Sequence, residues 1–186
     1  PNLKEANFNA TFRQSGEGAE HTLGAISTSK VLEDVNFAGY QMIPEEAWKR
    51  WQDRSFPNLK KADFPRCFSD SGAGAEHALG ALSASSNLEH VDFVGSKKIP
   101  EEAWKLWQGR NFPNLKKAYF SESFDESGAG AEHILGAVST SKVLEEVGFF
   151  CCGKIPEEAW KSWQSRFCPE GDVPEWVKAK CLAEDE

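Results

Sequence analysis

Three copies of one 56-residue segment, starting at Pro1, Pro57 and Pro113, follow one another without a gap. Such a repeat decides the fold class before any single motif does, because each copy must bury its apolar side against its neighbours. Every copy also divides in two. The hexads LKEANF, LEDVNF, LKKADF, LEHVDF, LKKAYF and LEEVGF begin at Leu3, Leu32, Leu59, Leu88, Leu115 and Leu144. They share the pattern L-x-x-A/V-x-F, and the steps between them alternate as 29, 27, 29, 27 and 29 residues.

Within each hexad the last two apolar residues stand two apart, as Ala62 and Phe64 or Val91 and Phe93 do. That spacing predicts a strand with both side chains on one side. Two kinds of helical segment lie between the hexads. In SGAGAEHALGALS, Ala75, Leu79 and Leu82 fall at i, i+4 and i+7 on one face, with Ser71 and Gly72 where the helix should start. In IPEEAWKLWQ, Pro100 fits the first helical position, Glu101 and Glu102 suit the helix dipole, and Ala103 and Trp107 share a face.

Consecutive strands joined through a helix run parallel, with a right-handed crossover. The expected fold class is α/β: a solenoid of six strand–helix units over residues 1–168, a parallel sheet on one side and helices on the other. Strands sit about 4.8 Å apart and packed helices about 8–10 Å, so the array should bend with its sheet on the concave side. The tail 169–186, with Pro174 and Trp176, reads as a C-terminal helical cap. Strand Leu3–Phe8 has no comparable cover, and the chain opens mid-motif without Met, so a fragment or processed product is expected.

These residues resemble the leucine-rich repeat family, specifically its ribonuclease-inhibitor-like branch of long alternating repeats. The frame L-x-x-L-x-L-x-x-N/C-x-L is met at Leu59, Ala62, Phe64 and Cys67, and again at Leu144, Val147, Phe149 and Cys152. Thr11, Tyr40, Ser96 and Ser123 fill the other ladder positions, so Asn never occurs there. The resemblance implies a horseshoe whose concave sheet holds a partner protein.

Function classes narrow by exclusion. A net charge of −8 disfavours nucleic acid as a partner, and no apolar run approaches the roughly 20 residues of a membrane-spanning helix. Five cysteines, Cys67, Cys151, Cys152, Cys168 and Cys181, do not follow the repeat. Their odd number favours reduced thiols in an intracellular compartment, with a Cys168–Cys181 bridge in a secreted protein as the alternative. His21, His77 and His133 recur in GAEH, but equivalent positions lie two units apart, about 16–20 Å, too far for one coordination sphere. The SGAGAEH glycines lack the lysine of a phosphate loop, and neither a nucleophile elbow nor a zinc-protease motif occurs. No cofactor, metal or enzymatic activity is expected. The pairs Trp48/Trp51, Trp104/Trp107 and Trp160/Trp163 read as packing between helix and sheet rather than as a glycan- or cation-binding face.

The residues that alternate with the buried ones should line the concavity. The candidates for partner binding are Asp34, Asn36, Lys61, Asp63, His90, Asp92, Lys117, Tyr119, Glu146 and Phe150. The copies differ most at these positions while the scaffold repeats, as a recognition surface would. Tyr119 and Phe150 are anchor types common in interfaces, and the mixed charge suits a protein or peptide. The leading expectation is a non-catalytic recognition or scaffold module. One alternative is a structural segment bracing a larger complex through its ends and convex helices. Another is the repeat region of a larger enzyme or signalling protein.

Overall fold

A computed structural model of the protein describes residues 2–9, 16–39 and 43–167. Strands β1 (Glu5–Asn7), β2 (Asp34–Asn36), β3 (Lys61–Asp63), β4 (His90–Asp92), β5 (Lys117–Tyr119) and β6 (Glu146–Gly148) form one open sheet in chain order. Every neighbouring pair is parallel. Helices α1 (Ala19–Ser27), α2 (Glu45–Trp48), α3 (Ala75–Ser83), α4 (Glu101–Trp104), α5 (Ala131–Val138) and α6 (Glu157–Phe167) each follow one strand. The result is an α/β solenoid with its sheet on one face and its helices on the other.

The A/V-x-F pair of each hexad explains the sheet. Val35, Ala62, Val91 and Ala118 are fully buried, and the following phenylalanines stack along the array. Successive ring centroids from Phe8 through Phe37, Phe64, Phe93 and Phe120 to Phe149 lie 5.3, 5.7, 5.4, 6.1 and 5.3 Å apart. Near-parallel rings at this spacing add to the burial each ring already contributes. The strands are only three residues long, so the chain turns just beyond each phenylalanine. At that turn Gly39, Arg66, Gly95, Glu122 and Cys151 all adopt positive φ. The geometry lets amides there continue the ladder: Arg66 N donates to Val94 O at 2.7 Å and Glu122 N to Phe150 O at 2.8 Å. A side chain in this left-handed region costs about 1–2 kcal/mol, against about 0.5–1 kcal/mol for the extra freedom of an unfolded glycine. Glu122→Gly should therefore stabilise the chain by about 0.5–1 kcal/mol in urea unfolding.

Lysine and glutamate alternate at the second hexad position: Lys4, Glu33, Lys60, Glu89, Lys116, Glu145. Glu33 contacts both Lys4 at 3.2 Å and Lys60 at 2.9 Å, and Lys116 meets Glu89 at 2.6 Å. Long units thus carry the cation and short units the anion. Exposed pairs of this kind contribute little each, but they favour one order of stacking.

Both helix starts depart from expectation. The long-unit helix begins at Ala75, not after Ser71, and Gly74 caps it at φ 82°. Trp48 of the preceding unit forces this: a Cβ on Gly74 would lie 2.5 Å from its ring. Gly72 faces the other way, where a Cβ would meet the Lys98 carbonyl oxygen at 2.0 Å. Gly130 and Gly128 repeat both approaches against Trp104 and Lys154. The two glycines of SGAG therefore clamp the second and third long units between their neighbours.

In the short units Pro100 is the N-cap, with extended ψ of 154°, and the helix starts one residue later at Glu101. Pro44 does the same. Helices α2 and α4 then tighten into 3-10 turns, Lys49–Trp51 and Lys105–Trp107. Asp53 and Gly109, both at positive φ, end these segments. In the third copy Ser165 replaces them and α6 runs on to Phe167. Serine tolerates the left-handed region less well than glycine or aspartate, so the helix continues.

Trp48, Trp51, Trp104 and Trp107 are among the largest fully buried side chains. Trp51 Nε1 donates to Leu23 O at 3.3 Å and Trp107 Nε1 to Leu79 O at 3.1 Å, tying each short-unit helix to the long-unit helix before it. The ladder residues also bridge units. Ser96 Oγ donates to Phe64 O, Ser123 Oγ to Phe93 O and Cys152 Sγ to Phe120 O. Hydroxyl and thiol thus serve backbone carbonyls at positions where the leucine-rich frame has Asn. Thr11, Tyr40, the helical cap and the Cys168–Cys181 pair lie outside the described residues.

Candidate functional site

Strand register sorts the outward-facing side chains into two rows. Glu5, Asp34, Lys61, His90, Lys117 and Glu146 lie side by side across the sheet. Asn7, Asn36, Asp63, Asp92, Tyr119 and Gly148 form the second row. Side chains two apart share a strand face, so both rows stand on the side opposite the phenylalanines. Because the helical layer behind needs more width, this face lies on the inner side of the curve.

The centre of the face is a bonded cluster. Asp63 Oδ2 accepts from Asn36 Nδ2 at 3.2 Å and pairs with Lys61 Nζ at 2.7 Å. His90 Nε2 approaches Asp63 Oδ1 at 2.9 Å, an ion pair when the imidazole is protonated. The His90 ring meets Tyr119 edge-on at 5.5 Å. On the C-terminal side Glu146 accepts from Lys117 Nζ at 2.8 Å and from the Tyr119 hydroxyl. Asp92 Oδ1 accepts from Val94 N, and Asn36 Oδ1 from Ala38 N, each at 2.8 Å. These side chains hold the backbone where it leaves the strand.

Electrostatics divides the carboxylates. Burial pushes Asp63 up, but contacts with His90 and Lys61 outweigh it and hold the group below its ordinary value. Burial raises Asp92, offset in part by the Val94 amide, and it raises Asp34 against the pull of Lys61. Burial and the Glu146 hydrogen bond push the Tyr119 hydroxyl up to about 12, so it stays a donor at neutral pH.

A stability–pH profile follows. The raised acids, Asp92 and Asp34, cost stability above their folded pKa, and this cost is relieved as pH falls through it toward the unfolded value. The depressed acid, Asp63, contributes stability above about pH 4 that is lost as pH falls through its folded pKa. Asp92→Asn keeps the acceptor for Val94 N. It should raise stability at pH 7 by about 0.5–1 kcal/mol and abolish the part of the gain that appears as pH falls through the folded pKa of Asp92, read in thermal unfolding.

The structure sets nine of the ten sequence candidates on these two rows. Phe150 instead sits in the turn beyond β6, 44 % exposed, with its amide donating to Ser121 Oγ. Asp63 is 7 % exposed and acts as the hub of the cluster. Alternation told which way it faces, not how deeply the neighbouring strands cover it. The alternating Lys/Glu row, legible in the hexads, pairs neighbouring units beside these two rows.

A second concavity lies on the helix side, a groove of about 600 Å³ lined by Arg110, Glu132, His133, Thr140 and Trp163 among others. Thr140 Oγ1 accepts from Phe112 N and donates to Ala137 O, and Arg110 Nε donates to Leu106 O. His133 Nε2 is buried and accepts or donates no hydrogen bond among the described residues. Burial pushes the Cys67 thiol far up and the Cys152 thiol up to about 11, which leaves neither as a nucleophile at neutral pH.

Among the described residues no group of three or more His, Cys, Asp or Glu is placed to hold a metal ion. No helix among them is long and apolar enough to cross a membrane. No protein-family model, curated protein or solved structure matches the chain, so the alternating α/β solenoid itself is the level at which it is classified.

Proposed function

We propose that this chain is a non-catalytic recognition module of leucine-rich-repeat type, holding a protein partner on its sheet face. One observation carries the reading. The buried hexad positions repeat from copy to copy, whereas the outward rows run Glu, Asp, Lys, His, Lys, Glu and Asn, Asn, Asp, Asp, Tyr, Gly. A rigid, repeated scaffold with a varied display suits recognition, since little ordering is needed on binding. Tyr119 and the exposed Phe150 supply aromatic anchors at one end of it.

The test is partner capture by the intact protein, followed by alanine at Tyr119, Asp92 and Phe150 in turn. Loss of capture by about 1–3 kcal/mol per anchor, with unchanged circular dichroism, supports the sheet-face site. The groove beside His133 favours a second reading, in which the helices brace a larger assembly. Capture that survives all three substitutions but fails in Glu132→Ala or Arg110→Ala would favour bracing.

A further inference from the structure

The sheet face does not balance its charges. Glu5, Asp34, Asp63, Asp92 and Glu146 share it with only two lysines, Lys61 and Lys117. Both ammonium groups are already committed, Lys61 to Asp63 and Lys117 to Glu146. His90 also turns to Asp63. The Asp34 carboxylate accepts no hydrogen bond among the described residues although Lys61 is its register partner. Asp92 uses one oxygen for the Val94 amide, and the Asp63 charge beside it adds repulsion. The cations are spent inside the sheet, and the surplus is negative. Burial holds both carboxylates above their ordinary pKa, so an external cation would relieve an existing cost.

Geometry narrows the occupant. Asp34 and Asp92 stand two strands and two residues apart, about 12 Å between Cα atoms. In an extended peptide, residues i and i+4 share a face at about 13 Å. Tyr119 is the register neighbour of Asp92, so a group bound to that carboxylate can lie against its ring. A planar guanidinium does both, pairing with a carboxylate and stacking on an aromatic face.

Resting on the recognition reading above, we propose that the occupant is an extended cationic peptide segment that places an arginine on Asp92 and Tyr119 and a second basic side chain, four residues away, on Asp34. Polyanions are repelled from the same surface, and a neutral apolar segment leaves the Asp34 carboxylate and the second Asp92 oxygen without a cation.

The experiment is selection of random linear peptides on the intact protein, followed by fluorescence anisotropy with the enriched sequences. Enriched peptides should carry Arg or Lys at i and i+4. They should lose at least tenfold in affinity on Asp34→Asn or Asp92→Asn. The paired helix-side change Glu46→Gln with Glu102→Gln removes two charges elsewhere and should alter affinity less than twofold. Equal losses in both sets would mean attraction to net charge alone and would overturn the proposal. Peptides without basic residues that still lose binding on Tyr119→Ala would overturn it while leaving recognition intact. No enrichment, or binding indifferent to every sheet-face change, would overturn both. The Asp34 carboxylate accepts no hydrogen bond among the described residues, so Asp34→Asn remains informative if Asp92→Asn disturbs the turn at Val94.

Discussion

Trp107→Ala should remove about 3–5 kcal/mol of folding stability, measured by urea unfolding. The side chain is fully buried, edge-on to Phe93 at 6.1 Å and packed on Phe112 at 4.8 Å. Its indole nitrogen also donates to Leu79 O, so the truncation loses a buried inter-unit hydrogen bond as well as opening a cavity. Trp107→Phe keeps much of the ring and loses the hydrogen bond, so its cost should be smaller, about 1–3 kcal/mol. The location matters as much as the size. Units in a solenoid touch only their neighbours, so a void in the fourth unit weakens the joint between the two halves. Hydrogen exchange should show amides on both sides of α4 losing protection before those of β1–β2. Uniform loss of protection, or a cost below 1 kcal/mol, would show that the tryptophan does not join the units.

Gly72→Ala should be nearly as damaging, at about 3 kcal/mol, although it adds a single methyl group. Its Cβ would lie 2.0 Å from the Lys98 carbonyl oxygen and 2.9 Å from Pro100 Cδ. Both belong to the backbone or to a rigid ring, so neither can yield by rotating a side chain. Gly24→Ala is the matched control. It sits inside α1, and nothing lies within 4 Å of a Cβ built there. Alanine is the better helix former by about 0.5–1 kcal/mol, so this variant should be stabilised. Thermal unfolding of the two variants should move in opposite directions. Equal destabilisation would mean that helix propensity, not the close approach of units, governs these glycines.

The contrast shows what the sequence could convey. The strand centres were legible because alternation is local and the repeat supplied six versions of it. Ala62 and Phe64, or Val91 and Phe93, needed no knowledge of their neighbours. Helix starts were not legible, because another unit sets them. Trp48 dictates that Gly74 take a left-handed conformation, and nothing within SGAGAEH shows a tryptophan more than twenty residues upstream. Likewise α6 outruns α4 where Ser165 stands at the position of the positive-φ Gly109, one of several differences between the two segments. The candidate site was legible as a list of outward residues but not as a network. Which lysine serves which carboxylate depends on side chains from adjacent strands. That is why Asp34 and Asp92 emerge as half-buried acids without a cation only once Lys61 is seen to turn toward Asp63.

The Lys/Glu alternation, together with the glycine-to-tryptophan contacts, imposes a parity rule on the array. A lone extra unit would set two ammonium groups or two carboxylates side by side and deny one long unit its aromatic neighbour. Growth or shrinkage in whole pairs preserves every joint. Tandem duplication in this lineage should therefore proceed in quanta of 56 residues, and variants lengthened by one pair should fold where variants lengthened by half a pair should not.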